Sequence, residues 1–194
     1  MGALECSTYE KGIGMKASSS LRDTRYAGQH DPIYHSLDLI PNWLVYGHLS
    51  LARQLQRSEK DRLHKFQLLI RDTAKRFTGR RDLNGLGWFL REEGNREDKR
   101  FHFHFSLTAD KLENTSAEVV CRYLTKQWSK IGKSLCEIHP WDQTKAPLGI
   151  WYLTQMEPYP APYSRYFHGD NCRWKMSPLL YSKILQLTGE RPTQ

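Results

Sequence analysis

From Trp43 to Leu51 the chain alternates in polarity. Trp43, Val45, Leu49 and Leu51 fall on one side of an extended segment, and Tyr46, His48 and Ser50 on the other. That period of two predicts a half-buried strand, opened by the turn signal Pro41-Asn42. The spacing then changes. Leu63, Phe66, Leu69, Ile70, Ala74 and Phe77 recur on one helical face. Ser58 and Asp61 form a capping pair at its start, and Gly79 stops it. Gly85–Glu93 reads as a second strand, 94–100 as a charged turn, and Arg100–Leu107 as a third strand. Thr115 and Glu118 cap a second helix, whose apolar face is Ala117, Val120, Cys121, Leu124 and Trp128. Leu135–His139 is a short strand. Pro147 suits the first turn of a helix over Leu148–Met156. Pro158, Pro160 and Pro162 then forbid regular helix, and Ser177–Leu187 predicts a last one.

Adjacent strands without an intervening helix imply antiparallel pairing. The predicted fold is therefore α+β: a central antiparallel sheet of about five strands with flanking helices, related to the split β-α-β family. Residues 1–30, rich in Gly, Ser, Lys and Arg without a period, read as a flexible or irregular arm. Residues 31–194 read as one domain, with an aromatic and proline-rich extension from about 157.

Composition narrows the partners. The 194 residues carry 29 Lys and Arg against 21 Asp and Glu, a net charge of +8, and 12% are aromatic. Basic charge mixed with aromatics favours a polyanion such as nucleic acid. No apolar run reaches the about 18 residues of a membrane span, and 1–20 lacks the apolar core of a secretory signal. Cys6, Cys121, Cys136 and Cys172 form no CxxC pair, which speaks against a zinc ribbon. Free thiols suit a reducing compartment, so the expected location is intracellular: cytoplasmic, or nuclear in a eukaryotic host. No GxxxxGK[ST] phosphate loop is present.

The sharpest chemical feature is Phe101-His102-Phe103-His104-Phe105. On a strand the phenylalanines share one face and the imidazoles the other. Two adjacent neutral nitrogen donors suit a divalent metal. A plain strand with two exposed histidines is the alternative. Glu92-Glu93 ends the preceding strand, and a hairpin would bring one of them beside the histidines as a third ligand.

Glu92-x-Gly94, a short charged turn and His102-Phe-His104 together resemble the HUH endonucleases. The nearer resemblance is to the replication-initiator (Rep) nickases of rolling-circle plasmids and small single-stranded DNA phages. It covers roughly Asn42 to Met156. The resemblance implies His102, His104 and Glu92 as ligands of Mn²⁺ or Mg²⁺, Glu92 being preferred over Glu93 by the family's Glu-x-Gly pattern. It also implies a tyrosine nucleophile that becomes linked to a 5′ phosphate, leaving a 3′ hydroxyl to prime synthesis or rejoin.

Two segments resemble the family's Tyr-x-x-Lys helix motif. Tyr123-Leu-Thr-Lys126 matches literally, but its helix directly follows the histidine strand and Tyr123 borders an apolar face. Tyr152-Leu-Thr-Gln155 lies where the family places its nucleophile helix, with Gln155 in the position of the lysine. Tyr152 is the preferred nucleophile, Tyr123 the alternative, and Gln155 keeps a hydrogen-bonding role while Lys145 is a candidate for the cationic one. Lys75, Arg76, Arg80, Arg81 and Arg100, with His48, are candidate DNA contacts. His48 is alternatively an outer partner of a metal ligand. Tyr159, Tyr163, Tyr166, Phe167 and Trp174 either stack single-stranded bases or complete the core.

The expected activity is metal-dependent, site-specific nicking and joining of single-stranded DNA or an origin hairpin, initiating rolling-circle replication, with any unwinding left to a host helicase. A transposase or relaxase would use the same site. The competing readings are a non-catalytic nucleic-acid-binding protein on a similar sheet and a nuclease that uses activated water.

Overall fold

A computed structural model describes residues 33–55, 58–94, 101–112, 114–145, 149, 150, 153 and 173–189. The chain begins there with a short helix α1 (Ile33–Asp38), followed by β1 (Trp43–Ser50), α2 (Glu59–Thr78), β2 (Trp88–Glu93), β3 (His102–Thr108), α3 (Ala117–Ile131), β4 (Cys136–Pro140), β5 (Arg173–Met176) and α4 (Pro178–Thr188). Gly149, Ile150 and Leu153 are helical. The five strands form one sheet in the order β4-β1-β3-β2-β5. Every pairing is antiparallel.

Local sequence explains the helix ends. The Ser58 side chain accepts from the Asp61 N–H at the start of α2. Gly79 ends that helix in the left-handed conformation (φ 78°), and its N–H donates to the Lys75 carbonyl. Ser177 caps α4, with Pro178 in the first turn.

The alternation in β3 splits the molecule into two layers. Phe103, Phe105 and Leu107 face α2 and α3 and join Phe66, Leu69, Ile70, Val120, Leu124 and Trp128 in one core. Phe66 meets the rings of Trp88, Phe103 and Phe105 at 5.4, 5.9 and 5.9 Å. The opposite face of the sheet is covered differently. There Ile33 and Leu37 of α1, Leu180 and Ile184 of α4, and Ile150 and Leu153 pack with Trp43 and Phe89. The imidazoles of β3 belong to this second face.

Four details differ from the sequence expectation. Trp43 does not share a face with Val45, because the register with β3 shifts between them. One extra residue in a strand reverses the parity of what precedes it. The cap of α3 is Ser116, whose side chain accepts from the Val119 N–H, rather than Thr115. The second strand starts at Trp88; Leu83–Gly85 before it is a 3-10 turn. Finally, α1 and β5 are additional elements, and Trp174 of β5 packs into the second core. The arm 1–30, the turn 95–100, the proline-rich stretch 157–163 and most of the helix expected over 148–156 lie outside the described residues.

Candidate metal centre

β1 lies between β4 and β3, so its polar face looks onto the histidines of β3. The register sets His48 directly opposite His104, and His102 opposite both Ser50 of β1 and Glu93 of β2. Partners directly opposite in an antiparallel pair share a face. Three imidazoles therefore converge. Their ring centroids form a near-equilateral triangle, with His48–His102 at 4.7 Å, His48–His104 at 5.1 Å and His102–His104 at 4.9 Å. One ligating nitrogen from each can be chosen so that all three lie within 4.8 Å of one another.

A carboxylate stands beside two of the three rings. Glu93 Oε2 is 3.4 Å from the Nε2 atoms of both His102 and His104. That is long for a charge-assisted hydrogen bond. Arg91 holds the other carboxylate oxygen, Nε to Oε1 at 3.1 Å, and donates from Nη1 to the Leu153 carbonyl at 3.3 Å. The guanidinium thus ties the carboxylate of β2 to the backbone that crosses this face.

The electrostatics favour donors with free lone pairs. Burial, then the neighbouring His104 and His102, bring His48 down to about 4, against the pull of Glu93. Burial also lowers His104, against the Glu93 carboxylate that raises it. Burial alone would push Glu93 up; the bonds from His102 and His104, with the charges of His104 and Arg91, outweigh it and hold the carboxyl below its usual range. The lowering of His48 and His104 beside an ionised carboxylate favours the neutral, ligating form that a metal requires. Three nearby histidines, His48, His102 and His104, could hold a metal ion.

Comparison of the chain with protein-family models, curated proteins and solved structures finds no match. The site must be read from its own geometry.

Several expected site residues are elsewhere. Glu92 is not a ligand neighbour: it lies opposite Phe103, on the phenylalanine face, where its carboxylate accepts from Arg62 Nε of α2. Burial raises its carboxyl, against Arg62. Glu93 occupies the place expected of it. His48 is a member of the cluster itself. Tyr123 is on α3, across the sheet from the imidazoles. Its hydroxyl donates to the Asp72 carbonyl at 3.2 Å, its ring meets Phe77 edge-on at 5.3 Å, and burial raises its phenol. Lys75, Arg76, Arg80 and Arg81 gather at the end of α2, also behind the sheet, and Arg81 pairs with Asp72 at 3.0 Å. Tyr152, Gln155 and Arg100 lie outside the described residues. Leu153 is described: it is buried and lines, with His48 and His104, a cleft of about 720 Å³.

Among the described residues no helix is long and apolar enough to cross a membrane.

Proposed function

We propose that this chain is a metal-dependent single-stranded DNA nickase and strand-joining enzyme of the HUH class. The observation that carries the reading is the convergence of His48, His102 and His104, with Glu93, on one point of a sheet face. The strand order supports it: β1-α2-β2-β3-α3-β4 with β4-β1-β3-β2 in space is the split β-α-β pattern expected of that nuclease domain. So does the covering segment. Ile150 and Leu153 pack over the imidazole face, and Tyr152 lies between them in sequence.

The donor set favours Mn²⁺ over Mg²⁺, since Mg²⁺ takes oxygen ligands and keeps its waters whereas imidazole suits the softer ions. When bound, the cation supplies Lewis acidity at a phosphoryl oxygen and orients the scissile phosphate. The chain supplies the rest. His48, His102 and His104 hold the ion, Glu93 orients two of them, and Arg91 fixes Glu93. The Tyr152 phenol loses its proton to solvent and its oxygen bonds to phosphorus. The bond to the 3′ oxygen breaks, and that oxygen takes up a proton. The reverse steps rejoin the strand.

Incubation of the protein with a pool of single-stranded oligonucleotides and Mn²⁺, followed by a denaturing gel, tests this. The expected result is a covalent protein–DNA adduct, lost in His102→Ala, in His104→Ala and in Tyr152→Phe. Persistence of the adduct in all three variants overturns the reading. A second reading has one observation in its favour: three histidines with an open position are also a water-activating set. Cleavage without an adduct, intact in Tyr152→Phe, is its signature.

A further inference from the structure

The cleft beside the imidazoles extends away from them along β1 and β4. Tyr46 and His139 are cross-strand partners there, with rings 5.5 Å apart and tilted by 35°. Trp141 meets Tyr46 edge-on at 5.9 Å. Tyr46 is 39% exposed although it lies on an interior strand. An interior-strand aromatic left open to solvent offers a flat face for stacking. Gly149 lets the backbone over the cleft sit directly against the indole: a Cβ there would come within 2.9 Å of Trp141 Cη2.

An acidic group lines the cleft near each end. Glu137 lies opposite His48 on β4 and lines the cleft, as does Asp142. Among the described residues no hydrogen bond or ion pair engages the Glu137 side chain. Asp142 Oδ1 is occupied by the Thr144 N–H and hydroxyl, at 3.0 and 2.6 Å. In a chain of net charge +8 these carboxylates are locally the wrong sign for a phosphate. They are the right sign for N–H donors. The cleft therefore has a direction: an imidazole end suited to a phosphate held through a cation, an aromatic end suited to a base, and the Glu137 acceptor beside His48 where the two meet. Its volume of about 720 Å³ admits a base with its sugar.

We infer that this cleft is a subsite for one unstacked base of single-stranded DNA, adjacent to the phosphate at the imidazole centre. The base stacks on Tyr46, which Trp141 supports edge-on, and Glu137 selects one with an exocyclic amino group over thymine. Carboxylates accept from the cytosine amino group, whereas thymine offers a carbonyl at that position. The choice of ligand rests on the proposed DNA reading; the direction of the cleft does not.

Fluorescence anisotropy on the full chain, with labelled dC and dT oligomers and EDTA present, separates binding from cleavage. Wild type is expected to bind dC several-fold more tightly than dT. Tyr46→Ala is expected to weaken dC binding about tenfold, the usual scale for losing one stacked base. Tyr46→Phe keeps the ring and the affinity, and Glu137→Ala narrows the dC-to-dT ratio. Because Tyr46 is exposed, its replacement leaves the core in place. Unchanged affinity in Tyr46→Ala, or dT binding as well as dC, overturns the subsite. A base-selective complex that forms no adduct with Mn²⁺ would sink the nickase reading and leave the subsite standing. An adduct whose formation ignores Tyr46 and base identity would do the reverse.

Discussion

Glu92 and Glu93 are neighbours in sequence with opposite duties, and the difference is measurable. Glu92 neutralises Arg62, which is 3% exposed and stacks 3.5 Å above the Phe101 ring. Removing one partner of a buried ion pair costs about 3–5 kcal/mol. Glu92→Ala is therefore expected to lower stability by that amount in urea denaturation while leaving metal affinity unchanged. Glu93→Ala is expected to reduce Mn²⁺ affinity about 10- to 100-fold, the usual cost of losing a group that orients metal ligands, read by titration calorimetry. If the two phenotypes are exchanged, the assignment of faces is wrong. The alternation around His102 and His104 is legible in the sequence because five consecutive residues obey it. The parity of the two glutamates is not. It depends on how many residues the turn at 95–100 consumes, and a slip of one moves every side chain to the other face. His48 shows the same limit: its polar face is legible, but its position opposite His104 is a property of register.

Among the elements, α4 is fixed to the sheet by a polar clamp. Lys183 Nζ donates to Asp110 Oδ1 and to Asn42 Oδ1, each at 2.6 Å, and Asn42 Nδ2 donates to Asp110 Oδ1 at 2.8 Å. Burial raises the Asp110 carboxyl; the bonds from Lys183, Thr108 and Asn42 outweigh this and leave it lower than usual. A carboxyl depressed in the folded state stabilises above its unfolded value of about 3.9, and that contribution is lost as the pH falls through the depressed value. Asp110→Asn is expected to cost about 1 kcal/mol at neutral pH. The difference in melting temperature from wild type is expected to close as the pH falls through the depressed value, and a gap that stays constant with pH would refute the clamp. Long periodic elements were the readable ones. The twenty residues of α2 match their expected ends at Ser58 and Gly79 almost to the residue. The four of β5 are too few to show a period, and the shift after Trp43 is invisible because both flanking residues are apolar.

At the scale of the whole molecule the sheet separates two kinds of work. Its phenylalanine face, with α2 and α3, is the larger apolar core. Its imidazole face brings together His48 of β1 with His102 and His104 of β3, two strands more than fifty residues apart in the chain. An ion bound there cross-links them only in the folded state, so it stabilises by mass action, about 2.7 kcal/mol at a hundredfold excess over Kd. Saturating Mn²⁺ or Zn²⁺ is expected to raise the melting temperature by several degrees in wild type. In His48→Ala most of that rise is expected to vanish, and chelation reverses it. An equal rise in the variant would mean that the ion binds elsewhere.

The two outer strands have a consequence for how the protein behaves when concentrated. β4 spans five residues with Glu137 and a terminal Pro140, and β5 spans four with Arg173 and Lys175. Short margins that carry charge or proline make poor templates for a neighbouring chain to extend. Among the described residues, extension of the sheet along the hydrogen-bonding direction is thus disfavoured at both borders.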